Sequence, residues 1–278
     1  MKILIIGATG MLAKPVIKHL NESGFVLKLF SRSIESLMFN NEFEVVKGDV
    51  FNLDELNNAV KGCDAIHITL SKTDEASAVE SIVRSANINN IKMISYISGS
   101  TVAEQNRWFP MIDAKYRAEQ SIINCGIPYM IFRPSWFYES LPMMIRNEKA
   151  AMIGKNPRTF SWAAAEDLGI MIANAYQKED AKNNIFYVHG PEKYKIDDLL
   201  KAYVKHLNLE NQSVKPTPIG LLKFIAFLTG NKMLKMATSL FAYFEKVDEP
   251  GDPRETNELL GKPETTFEMW IGKGLSDS

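Results

Sequence analysis

Residues 2–16, KILIIGATGMLAKPV, decide how this chain is read. Lys2–Ile6 is a short apolar, β-rich run, Gly7 follows it directly, Gly10 comes three residues later, and from Ala13 the residues favour a helix. Strand, glycine turn and helix in that order form the context in which a nucleotide-binding fingerprint has meaning. Without side chains at Gly7 and Gly10 the backbone turns tightly and approaches a pyrophosphate, whose charge the amides at the helix N-terminus face. Ala13 stands where a third glycine often falls. That position governs helix–strand packing, and alanine adds only a methyl there. The plain alternative is an ordinary strand–turn–helix with two convenient glycines, and the pattern's place at the head of an alternating chain favours the dinucleotide.

The alternation continues outward. Candidate strands are Lys2–Ile6, Val26–Phe30, Phe43–Val46, Ala65–Thr69, Lys92–Ser98 and Tyr129–Arg133. Between them LDELNNAVKG (53–62) sets Leu53, Leu56 and Val60 on one helical stripe ending at a glycine, and EASAVESIVRSANI (75–88) repeats the pattern with Ala76, Val79, Ile82 and Val83. Strands alternating with amphipathic helices predict an α/β fold, a doubly wound parallel sheet of Rossmann type, with its ligand at the strands' carboxyl ends. The second half is less regular. PEKYKIDDLLKAYVKHL (191–207) reads as a strand end and a capped helix, GLLKFIAFLTG (220–230) as an amphipathic helix, and VDEPGDPRETNELLG (247–261) as a loop leading into short helices. The expected organisation is a Rossmann domain over 1–190, with part of a substrate lobe inserted near 136–160. A smaller, mostly helical C-terminal substrate lobe follows over 191–278.

Composition narrows the partners. The 278 residues carry 32 basic and 33 acidic side chains, a net charge of −1, which gives no reason to expect nucleic acid or an anionic membrane. Hydrophobic residues at 46% suit a globular chain. No apolar stretch reaches the roughly twenty residues of a membrane-spanning helix. Cys63 and Cys125 form no CxxC pair, and with the short N-terminal apolar run they fit a reducing cytoplasm. His19, His67, His189 and His206 are scattered, so no metal site is expected.

The end of the second strand bears on cofactor choice. An acid there would accept the adenosine ribose hydroxyl of NAD, but LFSRSIE (29–35) offers Arg32 between Ser31 and Ser33, suited to the 2′-phosphate of NADP(H). The alternative for Arg32 is a solvated surface cation. Asp49, in VKGDVFN (46–52), either accepts from the adenine amino group or caps the helix that begins near Leu53.

Together GATGMLA (7–13), SRS (31–33), GDV (48–50), SGS (98–100), DAKYRAE (113–119) and FRPSWFYE (132–139) make the chain resemble the NmrA-like atypical short-chain dehydrogenase/reductases. The resemblance implies NADP(H) preferred over NAD(H), with Gly7, Thr9, Gly10, Met11 and Leu12 at the pyrophosphate, Arg32 at the 2′-phosphate, and Asp49 and Val50 at the adenine. It places Thr69, Leu70, Ser71 and Ser98 along the cofactor and Lys115 at the nicotinamide ribose. Pro134, Ser135 and Phe137 are implied near the carboxamide. Ser100, Trp136, Tyr138, Met143 and Met144 would form an apolar substrate wall, or else domain core.

Short-chain reductases generally use Tyr-x-x-x-Lys, in which the lysine holds the ribose and lowers the tyrosine pKa. Lys115 matches the lysine, but Met111 stands in the tyrosine's place, and a thioether carries no proton. Tyr116 points about 100° away from Lys115 on a helix, while Glu119, one turn on, is placed to pair with it. Alcohol dehydrogenation and sugar-nucleotide epimerisation both need a proton taken from a hydroxyl, which the missing phenol disfavours. A quinone needs only hydride, because its anionic product is ring-stabilised and takes its proton from water. Two readings therefore stand: an NADPH-dependent reductase of a small apolar acceptor such as a quinone, or a non-catalytic NADP(H) sensor acting through a protein partner.

Overall fold

The structure, a computed structural model, describes residues 1–39, 42–70, 74–146, 149–209 and 214–274. The first half runs β1 (Lys2–Ile6), α1 (Ala13–Glu22), β2 (Val26–Ser31), β3 (Glu44–Lys47), α2 (Leu53–Val60), β4 (Ala65–Ile68), α3 (Glu75–Ile88), β5 (Met93–Ile97), α4 (Pro110–Ile123) and β6 (Tyr129–Pro134). Then come β7 (Ile145–Arg146), β8 (Lys149–Ala150), β9 (Met152–Ile153), β10 (Thr159–Trp162), α5 (Ala165–Tyr176) and β11 (Asn184–Val188). The chain closes with β12 (Glu192–Lys195), α6 (Ile196–His206), β13 (Pro216–Thr217), α7 (Ile219–Thr229), α8 (Lys232–Phe244), α9 (Arg254–Leu260) and α10 (Phe267–Gly274). Two compact units result. One holds residues 1–134, 165–188 and 251–263, the other 135–164, 189–250 and 264–278. The division differs from a continuous 191–278 lobe in that 251–263, with α9, belongs to the first unit.

The first unit is a doubly wound Rossmann-type sheet. Seven strands lie in the order β11-β6-β5-β4-β1-β2-β3, and every pairing is parallel. The six expected strands are present within one residue of their expected ends. The seventh, β11, was not foreseen: NIFYV is short and lies at the sheet's edge beyond β6. Strands β4 and β5 are buried along their whole length, as a parallel sheet covered on both faces requires. On one face Leu4, Ile6, Ile66, Ile68, Ile94 and Ile131 meet Leu56 and Val60 of α2, Val79 and Ile82 of α3, and Ala118 and Ile122 of α4. Helices α1 and α5 pack together closely enough that a Cβ on Gly169 would lie 2.7 Å from the Pro15 carbonyl oxygen.

The second unit is helical with three two-stranded pairs, β10 with β12, β9 with β13 and β7 with β8. Ile196, Leu199, Leu200 and Val204 form the buried stripe of α6, against Tyr138, Phe160, Trp162 and Phe241. The capped start expected for α6 is absent, since Lys195 at the N-cap position makes no side-chain cap. Asp197 and Asp198 in the first turn compensate the helix dipole instead.

A buried polar chain crosses the first unit. His67 Nδ1 is 2.6 Å from Ser95 Oγ, which is 2.6 Å from the Tyr176 hydroxyl, and His67 Nε2 has no partner among the described residues. Burial lowers the His67 pKa from 6.5 to about 3, so the ring is neutral in the fold but protonates in the unfolded chain below about pH 6.5. The unfolded state therefore binds the extra proton, and stability falls as pH drops from 6.5 towards 3, by up to about 1.4 kcal/mol per pH unit. Urea unfolding between pH 7 and 5 is expected to show this slope, and His67→Gln to flatten it.

Candidate functional site

The glycine turn is built by close approach. Gly7 has φ +83°, and a Cβ there would lie 2.0 Å from the Thr69 carbonyl oxygen at the end of β4, so both conformation and space demand glycine. The amides of Gly7 and Ala8 donate to the Phe30 carbonyl, that of Gly10 to Gly7, and that of Ala13 to Gly10. This leaves the amides of Thr9, Met11 and Leu12 without a protein acceptor among the described residues. Leu12 gives α1 no side-chain cap and the first turn holds no acid, so nothing competes for an anion. Thr69 Oγ1 is buried with no partner among the described residues. A cradle that a Cβ would fill, three open amides and an orphaned hydroxyl fit a dinucleotide's phosphates. Ala13 is fully buried, the packing role foreseen for the third fingerprint position.

Beside the turn, Thr9 Oγ1 lies 3.0 Å from Ser31 Oγ, tying the loop to the end of β2. The next residue, Arg32, is exposed and has no ion pair among the described residues. The two roles weighed for Asp49 separate. Asn52 caps α2, accepting from the amides of Asp54 and Glu55, whereas Asp49 Oδ1 accepts from Phe51 N at 3.1 Å. Val50 and Leu70 are partly buried against the core. Ser71 lies outside the described residues.

Around α4 the structure changes the expected pairing. Glu119 does not pair with Lys115. It grips Arg133 through both oxygens, Nε to Oε1 at 2.9 Å and Nη2 to Oε2 at 2.5 Å, and accepts from Ser98 Oγ at 2.5 Å. Ser98 is thereby occupied. Burial opposes the Arg133 charge, and the hydrogen bond and charge of Glu119 outweigh it, raising its pKa. Lys115 pairs instead with Glu75, the first residue of α3, at 2.9 Å, and lies 3.5 Å from the Ile97 carbonyl oxygen. An ammonium has three protons, so one N–H of Lys115 remains for a ribose hydroxyl. Both glutamate side chains are fully buried.

Tyr96 donates to Glu75 Oε1 at 2.6 Å, with Lys115 Nζ 5.4 Å from its ring centroid. Burial, the Glu75 charge and that hydrogen bond push its phenol well above 10, so it gives up no proton near neutrality. Met111 is half-buried one turn before Lys115, and Tyr116 turns away towards Glu104 and Arg107. No phenol replaces the missing one among these residues. Glu75 and Arg133 were not singled out from the sequence. The available signal was Glu75 one turn before Val79 on a core-facing stripe, where an unpaired charge is untenable.

Ser100 is buried, and its amide donates to the carbonyl of Pro134, the last residue of the first unit's segment. Ser135, Trp136, Phe137, Tyr138, Met143 and Met144 belong to the second unit. Tyr138 is fully buried there beside Trp162, Phe267 and Trp270. Trp136 packs on Phe160, Trp162, Phe241 and Phe244, and Phe137 is buried. Met144 is partly buried against the same core, and Met143 is exposed. Ser135 Oγ and Trp136 Nε1 are buried without partners among the described residues. Among the described residues no cluster of side chains could hold a metal ion, and no helix is long and apolar enough to cross a membrane.

A glycine turn on a parallel sheet in this strand order defines the class of Rossmann-type nucleotide-binding folds. The family model described as NAD(P)H-binding matches residues 7–159, and the chain belongs to that family. Over its whole length the chain is 23% identical to the photosystem II assembly factor Ycf39 of Trieres chinensis, covering 89% of that protein. Its fold matches a nucleoside-diphosphate-sugar epimerase of Staphylococcus aureus with a TM-score of 0.79, at 15% identity, over 98% of this chain and 99% of that one. The NADPH-dependent quinone oxidoreductase of Escherichia coli, solved with NADPH, matches with a TM-score of 0.77, at 18% identity and the same coverage.

Removing one partner of a buried ion pair leaves the other's charge bare, at a cost of about 3–5 kcal/mol. Lys115→Met is expected to destabilise the protein by that order in urea unfolding. The double variant Lys115→Met/Glu75→Gln, which leaves no bare charge, is expected to recover most of the loss.

Proposed function

We propose that the chain is an NADPH-dependent oxidoreductase of the NmrA-like type that reduces a small apolar acceptor such as a quinone. The observation that carries this reading is the glycine turn, where Gly7 passes against Thr69 and the amides of Thr9, Met11 and Leu12 are left open. Those amides would hold the pyrophosphate, with Thr69 Oγ1 beside it. Arg32, next after β2 and without an ion pair among the described residues, favours the 2′-phosphate of NADP(H) over a bare ribose. Asp49 would accept from the adenine, and the free N–H of Lys115 from the nicotinamide side would reach a ribose oxygen. Bound there, the nicotinamide supplies a hydride.

Met111 then decides the class of acceptor. Neither Tyr96 nor Tyr116, the phenols beside Lys115, is placed to protonate an alkoxide, so the fitting acceptor is one whose reduced form takes its proton from water. Holding the reactants together is then the main contribution of the protein. A second reading has its own support: with Met111 at that position, and a full-length relative described as an assembly factor, the chain binds NADP(H) without turnover and reports its state to a protein partner.

The deciding experiment mixes purified protein with NADPH, follows the nicotinamide fluorescence, and then adds a simple quinone. Enhancement that decays over many turnovers, beyond the protein-free control, supports the reductase, and enhancement that persists supports the sensor. Arg32→Ala is expected to weaken NADPH binding on the order of tenfold or more, as loss of a charged hydrogen bond does, and to leave NADH unchanged. Equal losses for both would remove the 2′-phosphate role.

A further inference from the structure

Helix α7 breaks the rule that a helix apolar on all sides lies in a core. Its eleven residues, IGLLKFIAFLT, include only one buried side chain, Ala226. Phe227 is 82% exposed and Leu228 66%, and across the Gly230 turn Met233 on α8 is 74% exposed. The turn is held by Gly230 at φ +63° and by Asn231, whose side chain caps Leu234 N, so these residues crown a defined hairpin tip. An apolar surface of this kind marks a docking site, and its charge says for what. From Val214 to Phe244 the sequence contains four lysines and no acid. Lys223, Lys232 and Lys235 are exposed and have no ion pair among the described residues. The chain's net charge of −1 conceals this segment.

We propose that the α7–α8 hairpin docks on an anionic phospholipid surface, with Phe227, Leu228 and Met233 entering the acyl boundary and the three lysines against the headgroup phosphates. Apolar side chains flanked by unpaired lysines are what an interfacial helix presents to such a surface. Eleven residues span roughly 16 Å, about half the hydrocarbon core, so the hairpin lies on the bilayer and does not cross it. A second copy of the chain is the poorer occupant, because a two-fold pairing would bring the same basic, acid-free face of each copy together.

The test is flotation of the full chain with vesicles of phosphatidylcholine alone or with one-third phosphatidylglycerol. The protein is expected to float with the anionic vesicles, to stay behind with the neutral ones, and to be released by salt. Phe227→Asp/Leu228→Asp and, separately, Lys223→Glu/Lys232→Glu/Lys235→Glu are each expected to weaken flotation at least tenfold. All five positions are exposed, so unfolding midpoints should be unchanged. Wild-type protein that ignores anionic vesicles overturns the proposal, as does flotation indifferent to both sets of substitutions. So does sedimentation equilibrium showing a dimer that Phe227→Asp/Leu228→Asp converts to monomer, which would assign the face to a second copy.

Discussion

Gly7 lies so close to the end of β4 that the Thr69 carbonyl occupies the space a side chain would need. Much of the first unit's architecture follows from that contact. It brings β1 and β4 together where the strand order reverses, the switch point at which an open parallel sheet receives its ligand. It also holds the turn where the amides of Gly7 and Ala8 reach Phe30 on β2 and those of Gly10 and Ala13 bond within the turn, which leaves three others without an acceptor among the described residues. A larger residue at position 7 would move the strand end and the amides together. Binding geometry and fold stability are therefore not separable there.

Behind the neighbouring strand ends the first unit does something costly. It buries the side chains of Glu75 and Glu119 completely and neutralises each with a cation from another element. Buried ion pairs add little net stability compared with apolar packing, but they are unforgiving of misplacement, because a shifted partner leaves a bare charge. Glu75 on α3 holds Lys115 on α4, and Glu119 on α4 holds Arg133 on β6. The pairs thus fix α4 from both sides and orient Lys115 without a tyrosine to do so. The same arrangement confines the chemistry, since Tyr96 is bound to Glu75 and Ser98 to Glu119.

The parts legible in the sequence are those set by short-range periodicity. Strands β1 to β6 are apolar runs between glycines and amphipathic helices, and their pattern survives folding because both faces of the sheet are covered. The edge strand β11 was not legible, since NIFYV resembles any short apolar run and only pairing with β6 makes it a strand. Pairings were harder still. Glu119 lies one turn from Lys115, the local choice, yet Glu75, forty residues earlier, takes the lysine once α3 and α4 pack side by side. Tyr138 reads from its spacing as either substrate wall or core, and only packing shows it among the aromatic side chains of the second unit. Sequence spacing reports which residues share an element, whereas partner choice depends on how elements pack.

The two units treat polarity in opposite ways. The first hides charge in its interior, where each ion must find a partner, and the second leaves Phe227, Leu228 and Met233 in solvent, where each forgoes roughly 1.5–3 kcal/mol of burial. A chain that fills the cores of both units has no packing reason to leave those side chains out. GLLKFIAFLTG looks amphipathic in one dimension because Lys223 interrupts it, but on the folded helix the lysine is one cation on an otherwise apolar cylinder. Whole-chain averages, a net charge of −1 and an ordinary apolar fraction, cannot show this, because they sum an acidic remainder with a basic, apolar hairpin. The hairpin's unused burial energy is available to whatever surface meets it, and its lysines, without ion pairs among the described residues, favour a surface carrying negative charge.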